Sequence, residues 1–306
     1  CLLSTVLTGL KKMWVKINSK KRGRGCVLNR QMLHLSYKTK KDFMIKVGTS
    51  GFSFPDWLGN IYPHDIKKGD MLEYYEKNLG FEITEINSTY YTIHSQKSFE
   101  GMMRKTSKDF EFTVKAHKSL THEIRGKETG KIVDNKDFFE RFLYAVEPLK
   151  KDGRLTAILA QFPYSFHATN DNYDYLKTFK ERLKDIPLIV EFRNYYWQNE
   201  RSLKFLKENH IGCCIVDEPR LKGLMPYNPA ITTDIGYFRL HGRNTNWFDA
   251  PTSVRYDYLY TQDELKSFVP DIRNIATSAK KTIIMFNNCH AGKAALNALE
   301  MIEMLK

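Results

Sequence analysis

Long apolar runs and paired cysteine motifs are both missing from this sequence of 306 residues. No run of about 18 apolar residues occurs, so we expect no membrane-spanning helix and no membrane partner. The five cysteines are odd in number, scattered and without a Cys-x-x-Cys pair. This pattern excludes a disulfide framework or a zinc knuckle, and it favours a reducing, cytoplasmic setting.

The sequence also lacks the glycine-rich fingerprints of nucleotide-binding proteins. Neither GxGxxG nor a P-loop follows any predicted strand, and no HExxH motif is present. Global disorder is excluded as well, because 42% of the residues are hydrophobic and 13% are aromatic. The chain is therefore expected to fold, and its length suits one α/β barrel or two smaller domains.

Positive charge is unevenly distributed along the chain. The net charge is +13, but residues 1–43 contain 11 of the 48 Lys and Arg residues and one of the 35 acids, Asp42. The remaining 37 basic and 34 acidic residues leave residues 44–306 at only +3, which argues against a polyanion footprint over the whole body. We interpret residues 1–43 as a disordered basic extension, with an RNA-binding arm or an organelle transit segment as alternatives, and residues 44–306 as one domain.

Eight short apolar segments recur along residues 44–306, and helical periodicity fills most of the gaps between them. The predicted strands are 45–50, 82–91, 111–117, 155–163, 187–193, 212–219, 236–243 and 281–288. The predicted helices are 69–80, 95–107, 135–151, 170–184, 202–210, 262–280 and 292–306, and after the sixth strand only RLKGL is available for a short helix or a loop. This alternation predicts a single (β/α)8 TIM-type barrel, with an open doubly wound sheet as the competing fold.

The segment YFRLHGR places three basic side chains where a buried strand is expected. Residues two apart in a strand face the same way, so Tyr237, Arg239, His241 and Arg243 should share one face. Such a face needs water, acidic partners or an anionic ligand, because unpaired buried charge is unfavourable.

Polar residues end the other predicted strands as well. The carboxyl ends of barrel strands meet at one mouth, so the sequence predicts an anion-binding site there. An internal salt-bridge network that only fills the top of the barrel is the structural alternative. The polar residues at the ends of the other strands are Glu85, Asn87, Lys115, His117, Gln161, Glu191, Arg193, Asp217 and Asn287.

Roles follow from the chemistry of these side chains. We expect Glu191 and His241 to transfer protons as catalytic residues and Asp217, also catalytic, to orient them. Under this interpretation Glu191→Gln abolishes turnover and leaves the fold intact. The expected substrate-binding residues are Arg193, Arg239, Arg243, Lys115, His117, Asn87, Gln161, Asn287, Ser50 and Trp57.

The first predicted loop, TSGFSFPDWLGNIYP, is rich in aromatic residues. We expect it to form a lid over the mouth, with plain packing on the barrel rim as an equal alternative. Trp197 and Trp247 follow two later strands on the same side. An aromatic rim around a charged mouth suits sugars or nucleobases, which stack on apolar faces. The aromatic residues of this loop are Phe52, Phe54, Trp57 and Tyr62.

A divalent metal is a further alternative, because nitrogen and oxygen ligands are present at the strand ends. The nearby arginines oppose a divalent cation, so a metal-free site is favoured and no cofactor is assigned. The lone histidines His122 and His290 are interpreted as ordinary loop residues. The candidate ligands are His117, His241, Glu85, Glu191 and Asp217.

Several ordered motifs resemble a known family over residues 45–306. They are VGTSGFSFPDW, TEINSTYY, FTVKAHKSLTH, LAQFPYSF, VEFRNYYW, YFRLHGR and FNNCHAGKAALNA. The chain resembles the domain of unknown function 72, or YecE-like, family, which implies a single-domain TIM-type barrel and no established reaction. Phe52, Phe54 and Asn194 depart from the family pattern, where Trp, Tyr and His are common. The matching positions are Glu191, Arg193, Arg239, His241, Arg243, Gln161, Asn87 and Asn287.

Three functions are compatible with these observations. The favoured one is an enzyme that binds a small anionic or phosphorylated substrate, such as a sugar derivative, and uses acid–base catalysis. The first alternative is a barrel that binds or processes nucleic acid, metal-dependent and endonuclease-like. The second alternative is a non-catalytic ligand-binding protein, since a fold does not by itself determine a function.

Overall fold

Eight parallel strands form the centre of the domain. The computed structural model describes residues 44–248 and 250–306, so the predicted basic extension lies outside the described residues. The strands are β1 (Ile45–Thr49), β2 (Ile83–Ile86), β3 (Glu111–Lys115), β4 (Leu155–Gln161), β5 (Leu188–Glu191), β6 (Ile211–Asp217), β7 (Ile235–Leu240) and β8 (Lys281–Phe286).

Helices alternate with these strands along the chain. They are α1 (Met71–Lys77), α2 (Gln96–Arg104), α3 (Lys136–Lys151), α4 (Asn170–Leu183), α5 (Glu200–Glu208), α6 (Thr252–Arg255), α7 (Gln262–Ser278) and α8 (Lys293–Leu305). No helix among the described residues is long and apolar enough to cross a membrane. The alternation gives each strand a parallel neighbour and places the helices outside the sheet.

The strand order is that of a barrel. From β2 to β8 each strand pairs in parallel with the next, and β8 pairs in parallel with β1. The ring is nearly closed between β1 and β2 by a bridge between Ser50 and Glu85 and by a hydrogen bond of 3.2 Å from Thr84 Oγ1 to Thr49 O. The predicted (β/α)8 barrel is therefore confirmed, and the open doubly wound sheet is wrong.

The structure differs from the predicted elements after the second and sixth strands. β2 ends at Ile86 rather than at residue 91, because Asn87 takes a helical backbone conformation and a 3-10 turn follows at Ser88–Tyr90. After β6, residues 218–234 contain no helix, and RLKGL lies in this loop. Pro219 and Pro226 flank that segment, and proline disfavours a continuous helix there.

The amino-terminal end of the barrel holds a small ionic cluster of its own. The carboxylate of Glu111, the first residue of β3, pairs with Lys46 at 2.9 Å and also with Lys281. Thr156 donates to the same carboxylate. One carboxylate thus holds two ammonium groups and a hydroxyl, and these contacts within the protein give the cluster a structural role.

Replacing Gly48 by alanine tests the nearly closed seam between β1 and β2. A Cβ atom at Gly48 would lie 2.2 Å from the backbone oxygen of Ile83, so the two strands must move apart. We expect a loss of about 1–3 kcal/mol in the free energy of unfolding, measured by urea denaturation. Gly69→Ala is the matched control, because no heavy atom lies within 4 Å of its Cβ position. Equal stability of the two variants would contradict a tightly packed seam.

Candidate functional site

A cavity of about 450 Å³ lies at the carboxyl ends of the strands. Seven of the predicted substrate-binding residues line it together. They are Ser50, Asn87, Lys115, Gln161, Arg193, Arg239 and Asn287. The strand-end pattern therefore located the cavity, although it did not identify every residue that lines it.

Arg239 on β7 links strands on opposite sides of the barrel beneath this cavity. Its NH2 group donates to Glu85 Oε1 on β2 at 2.7 Å and to Ser50 Oγ and Asn287 Oδ1 at 3.2 Å each, while NH1 donates to Glu191 Oε2 on β5. The side chain is 1% exposed. Burial disfavours its cation, but Glu191 and Glu85 outweigh that effect and raise the pKa of Arg239 well above its usual value.

Glu191 is the shared partner of two arginines. Besides Arg239, its carboxylate pairs with Arg193 NH2 at 2.7 Å, and Arg193 NH1 donates to Glu218 Oε2 at 3.0 Å. Burial acts to raise the pKa of Glu191, yet Arg193 and Arg239 hold it well below its usual range. Glu191 is thus a permanently charged counter-ion for the arginines at neutral pH.

His241 extends the same network as a neutral side chain. Its Nδ1 lies 2.9 Å from Asn287 Nδ2, and its Nε2 lies 3.3 Å from Glu191 Oε1. Because Asn287 Oδ1 accepts from Arg239, the amide nitrogen faces His241 Nδ1 and donates to it, which leaves the imidazole proton on Nε2 towards Glu191. Burial and Arg193 lower the pKa of His241 to about 3 despite Glu191.

Lys115 differs from the two buried arginines in its partners. Its Nζ donates to Gln161 Oε1 at 2.9 Å and lies 4.6 Å from the centre of the Tyr90 ring. Burial and the positive charge of Arg239 lower the pKa of Lys115 to about 7. It lines the cavity, whereas Glu191 and His241 are fully buried and do not.

Asp217 and Arg243, predicted to face the mouth, form a separate cluster. Arg243 NH2 donates to Asp217 Oδ1 at 2.8 Å, and Tyr260 OH donates to Asp217 Oδ2 at 2.6 Å. Neither residue lines the cavity. The strand alternation stops before Arg243, because β7 ends at Leu240 and Gly242 has a φ of 90°. A catalytic role for Asp217 and a binding role for Arg243 are therefore not carried forward.

Glu218 takes the inward position that the sequence assigned to Asp217. It follows β6, and Cys214, four residues earlier, places its Sγ 3.9 Å from Glu191 Oε2 inside the barrel. Burial raises the pKa of Glu218 to about 7, even though Arg193 acts to lower it. The two-residue alternation counted from Cys214 identifies Glu218, but both faces of β6 are buried, so the sequence alone does not show which face is inward.

His117 and Trp57 lie outside the cavity as well. His117 Nδ1 accepts from the Ser119 backbone N–H at 3.2 Å, and its ring stacks on Phe138. Trp57 is fully buried and donates from Nε1 to the backbone oxygen of Cys289 at 2.7 Å. Both side chains have structural contacts, so the predicted substrate-binding roles are not carried forward for them.

The aromatic rim also differs from the prediction. Of the four aromatic residues of the first loop, only Phe54 lines the cavity, and the Trp197 ring is buried at 4.0 Å from the Phe192 ring. Trp247 does cover the charged cluster, because its ring lies 5.8 Å from the Arg193 guanidinium and 6.4 Å from the His241 ring.

Residues missed by the sequence reasoning complete the cavity wall. No strand-end signal marks Arg255 or Tyr256, since both lie after β7 near the short helix α6. His290, interpreted as an ordinary loop residue, lines the cavity beside Asp56, with 3.6 Å between His290 Nδ1 and Asp56 Oδ2. The other missed lining residues are Tyr90, Tyr91 and Cys289.

The candidate metal ligands are not brought together as a set. Glu85, Glu191 and His241 meet, but arginine groups and the Tyr237 hydroxyl contact the carboxylate oxygens, whereas His117 and Asp217 lie elsewhere. Within residues 44–248 and 250–306, no group of three His, Cys, Asp or Glu side chains has a geometry that could hold a metal ion. No chemical step is therefore derived through a metal.

Fold and site together define a TIM-type barrel protein with a charged cavity at the carboxyl ends of its strands. The chain belongs to the family described as Protein of unknown function DUF72, which matches residues 46–306. This confirms the resemblance carried by the sequence motifs.

Relatives from three bacteria support this membership. The UPF0759 protein YunF of Bacillus subtilis strain 168 is 30% identical over 275 residues, which cover 86% of this chain and 95% of that protein. A DUF72 family protein from Thermotoga maritima MSB8 has a solved structure with a TM-score of 0.80 and 47% identity, covering 86% of this chain and 99% of that one. A DUF72 family protein from Enterococcus faecalis V583 gives a TM-score of 0.75 and 28% identity, with 86% and 95% covered.

Replacing Glu191 by glutamine should destabilise the protein, in contrast to the expectation of an intact fold. The change leaves Arg193 and Arg239 buried with one carboxylate fewer, and breaking a buried pair costs about 3–5 kcal/mol. Because the folded pKa of Glu191 is depressed, its contribution is present above the unfolded pKa of about 4.3 and is lost as the pH falls through the folded pKa. Urea denaturation between neutral and acidic pH measures both effects.

Glu140→Gln is the control for this experiment. Glu140 is exposed and pairs with Lys136 at 3.7 Å, a type of contact worth less than about 1 kcal/mol. If Glu191→Gln were as stable as Glu140→Gln at neutral pH, the carboxylate would not be the counter-ion of the two arginines.

Proposed function

We propose that the cavity binds a small anionic molecule and is the active site of an enzyme. The observation that carries this proposal is the distribution of charge around the cavity. Four basic side chains line the wall against one acidic residue, Asp56, which lies beside His290, whereas the carboxylates that neutralise the two buried arginines are not among the lining residues. The four cationic residues are Lys115, Arg193, Arg239 and Arg255.

The hydrogen-bonding capacity of the arginines supports the same proposal. The buried Nε atoms of Arg193, Arg239 and Arg255 have no hydrogen-bond partner in the part of the chain that the structure describes. A buried donor without a partner is unfavourable, and guanidinium groups bind carboxylate and phosphate strongly. An anion of that kind matches the donors that these side chains still offer.

Arg255 is the arginine best suited to contact an incoming anion. Among the described residues its NH2 group contacts only backbone oxygens, those of Ala250 at 3.2 Å and Phe248 at 3.5 Å. Arg193 and Arg239 are each held by two carboxylates, so they supply a fixed positive potential rather than a mobile contact. We assign Glu191 and His241, nominated for proton transfer by the sequence, to positioning these arginines.

Proton transfer in the proposed enzyme then falls to Lys115. It lines the cavity, and burial lowers its pKa to about 7, where an acid–base group exchanges protons most effectively at neutral pH. Tyr90, with its ring beside the ammonium group, lies on the same wall. The arrangement supports a reaction in which the arginines hold an anionic group of the substrate while Lys115 transfers a proton to or from a neighbouring substrate atom.

Inorganic phosphate tests the proposed anion site. We expect phosphate to raise the Tm of the full chain relative to chloride at equal ionic strength, because a ligand that binds only the folded state stabilises it. Arg255→Gln should weaken phosphate binding about tenfold, a change of roughly 1.4 kcal/mol. Thermal unfolding at several phosphate concentrations measures both.

Arg273→Gln is the matched control for Arg255→Gln. Arg273 lies on α7, and its guanidinium contacts the backbone oxygen of Met304 at 3.4 Å on the outside of the barrel. If phosphate failed to raise the Tm of both variants, or raised it equally in both, the stabilisation by phosphate would not come from binding in the cavity.

A second candidate function rests on exposed aromatic side chains beside the cavity. Tyr91 is 72% exposed and lines the cavity, and Tyr196 and Phe248, in loops after β5 and β7, are 51% and 54% exposed. Exposed rings in loops on one side of a protein can stack on bases, so binding of single-stranded nucleic acid is the alternative.

Oligonucleotide binding distinguishes this alternative from the first proposal. A nucleic-acid site predicts affinity for a single-stranded oligonucleotide that falls steeply with salt and is reduced when Tyr196 and Phe248 are both replaced by alanine. Tyr144→Ala, an exposed tyrosine on α3, is the control. If the unchanged chain, the double variant and Tyr144→Ala bound the oligonucleotide equally well, the nucleic acid would contact another part of the chain.

A further inference from the structure

Lys115 occupies an unusual position for a partly buried lysine. It is the last residue of β3, and its Nζ makes one hydrogen bond, to the neutral Gln161 Oε1 at 2.9 Å. No carboxylate oxygen lies within 4.0 Å of Nζ among the residues that the structure describes. A partly buried ammonium group without a carboxylate partner is unfavourable, so the environment favours the neutral amine.

Taken together, the charged groups around Lys115 also favour its neutral amine form. Burial and the two arginines oppose the ammonium form, and they outweigh the attraction of the carboxylates, which already neutralise the arginines. The same region holds His122 neutral, because burial and Lys115 lower its pKa to about 4. The charged and titratable groups that face Lys115 are Arg239, Glu191, Glu85, Arg193, His122 and Tyr90.

A neutral lysine amine that faces a cavity is a nucleophile for carbonyl carbon. This inference rests on the proposed function and specifies its substrate. We infer that Lys115 forms an imine with a small aldehyde or ketone that carries a carboxylate or phosphate group, while Arg255 holds that anionic group. The geometry fits because both side chains line one cavity and, among the described residues, no carboxylate pairs with Lys115 Nζ.

The step is balanced without an added oxidant or reductant. The neutral amine of Lys115 forms a bond from Nζ to the carbonyl carbon, and the carbonyl oxygen takes up a proton. The carbon–oxygen bond then breaks, and the oxygen leaves as water with two protons, one from Nζ and one from the solvent. Nζ keeps its other proton, so the product is a protonated imine whose positive charge comes from the solvent proton. The positively charged imine withdraws electrons, so the protons on the carbon atom next to the imine carbon become more acidic.

Reductive trapping tests the imine directly. The full chain is incubated with pyruvate or with dihydroxyacetone phosphate and cyanoborohydride, which converts an imine to a stable secondary amine. We expect one adduct per chain, located at Lys115 by peptide mapping, and none in Lys115→Met. Lys118→Met, which removes a lysine in the following turn whose side chain is 40% exposed, should keep the adduct.

The pH dependence of acylation provides a second measurement that needs no variant. At pH 7 about half of Lys115 would be neutral amine, compared with roughly one in 2,500 for an ordinary lysine with a pKa near 10.4. Labelling with trace acetic anhydride between pH 6 and 9 should therefore reach its midpoint near 7 at Lys115, whereas labelling of a free lysine peptide added as an internal reference should still be rising. A midpoint for Lys115 like that of the reference peptide would overturn the inference.

The two experiments separate the imine from the anion site. Rapid labelling of Lys115 that phosphate suppresses, with no trapped adduct from either probe, would overturn the imine and leave the proposed anion site standing. A trapped adduct at Lys115 whose yield phosphate does not change would confirm the imine and overturn the arginine anion site. Adducts spread equally over surface lysines would overturn the inference, because they show only general amine chemistry.

Discussion

The ionic contacts of Arg239 with Glu85 and Glu191 are the constraint on which the site depends. A guanidinium that is 1% exposed is stable only if carboxylates match it, and here they come from two strands on different sides of the barrel. Glu191 in turn holds Arg193 in place. Asn287, which accepts a hydrogen bond from Arg239, donates one to His241 Nδ1 and so keeps the imidazole proton on Nε2. One buried cation thus sets the side-chain orientations at the ends of several strands.

Charge is layered at this end of the barrel. The carboxylates that pair with the arginines form the lower layer, where arginine contacts keep Glu191 ionised despite its burial, and the cationic groups form the upper layer beside the cavity. Most of the charged side chains that line the cavity are therefore basic. Lys115 is the exception in the upper layer, because its partner is the uncharged Gln161 and its pKa is near neutral.

The fold and the centre of the site were predictable from periodicity, whereas the outer wall was not. Strand-length apolar segments and their polar ends are local signals, so they correctly placed Arg239, Glu191 and Lys115 together. The prediction was wrong where the alternation stops: Gly242 turns Arg243 away, and the fully buried β6 gave no basis for choosing Glu218 over Asp217. Arg255 follows a long loop, and its position depends on tertiary packing that no local pattern encodes.

The separation of Glu85 and Arg239 along the chain has a consequence for how the protein folds. They are 154 residues apart, so their contact closes a long loop and adds to the contact order of the barrel. A half barrel ending after β4 would hold Glu85 and Lys115 but none of Arg193, Glu218 or Arg239. The proposed anion-binding surface is therefore a product of complete assembly, and no partly folded form of the chain that lacks β7 can present it.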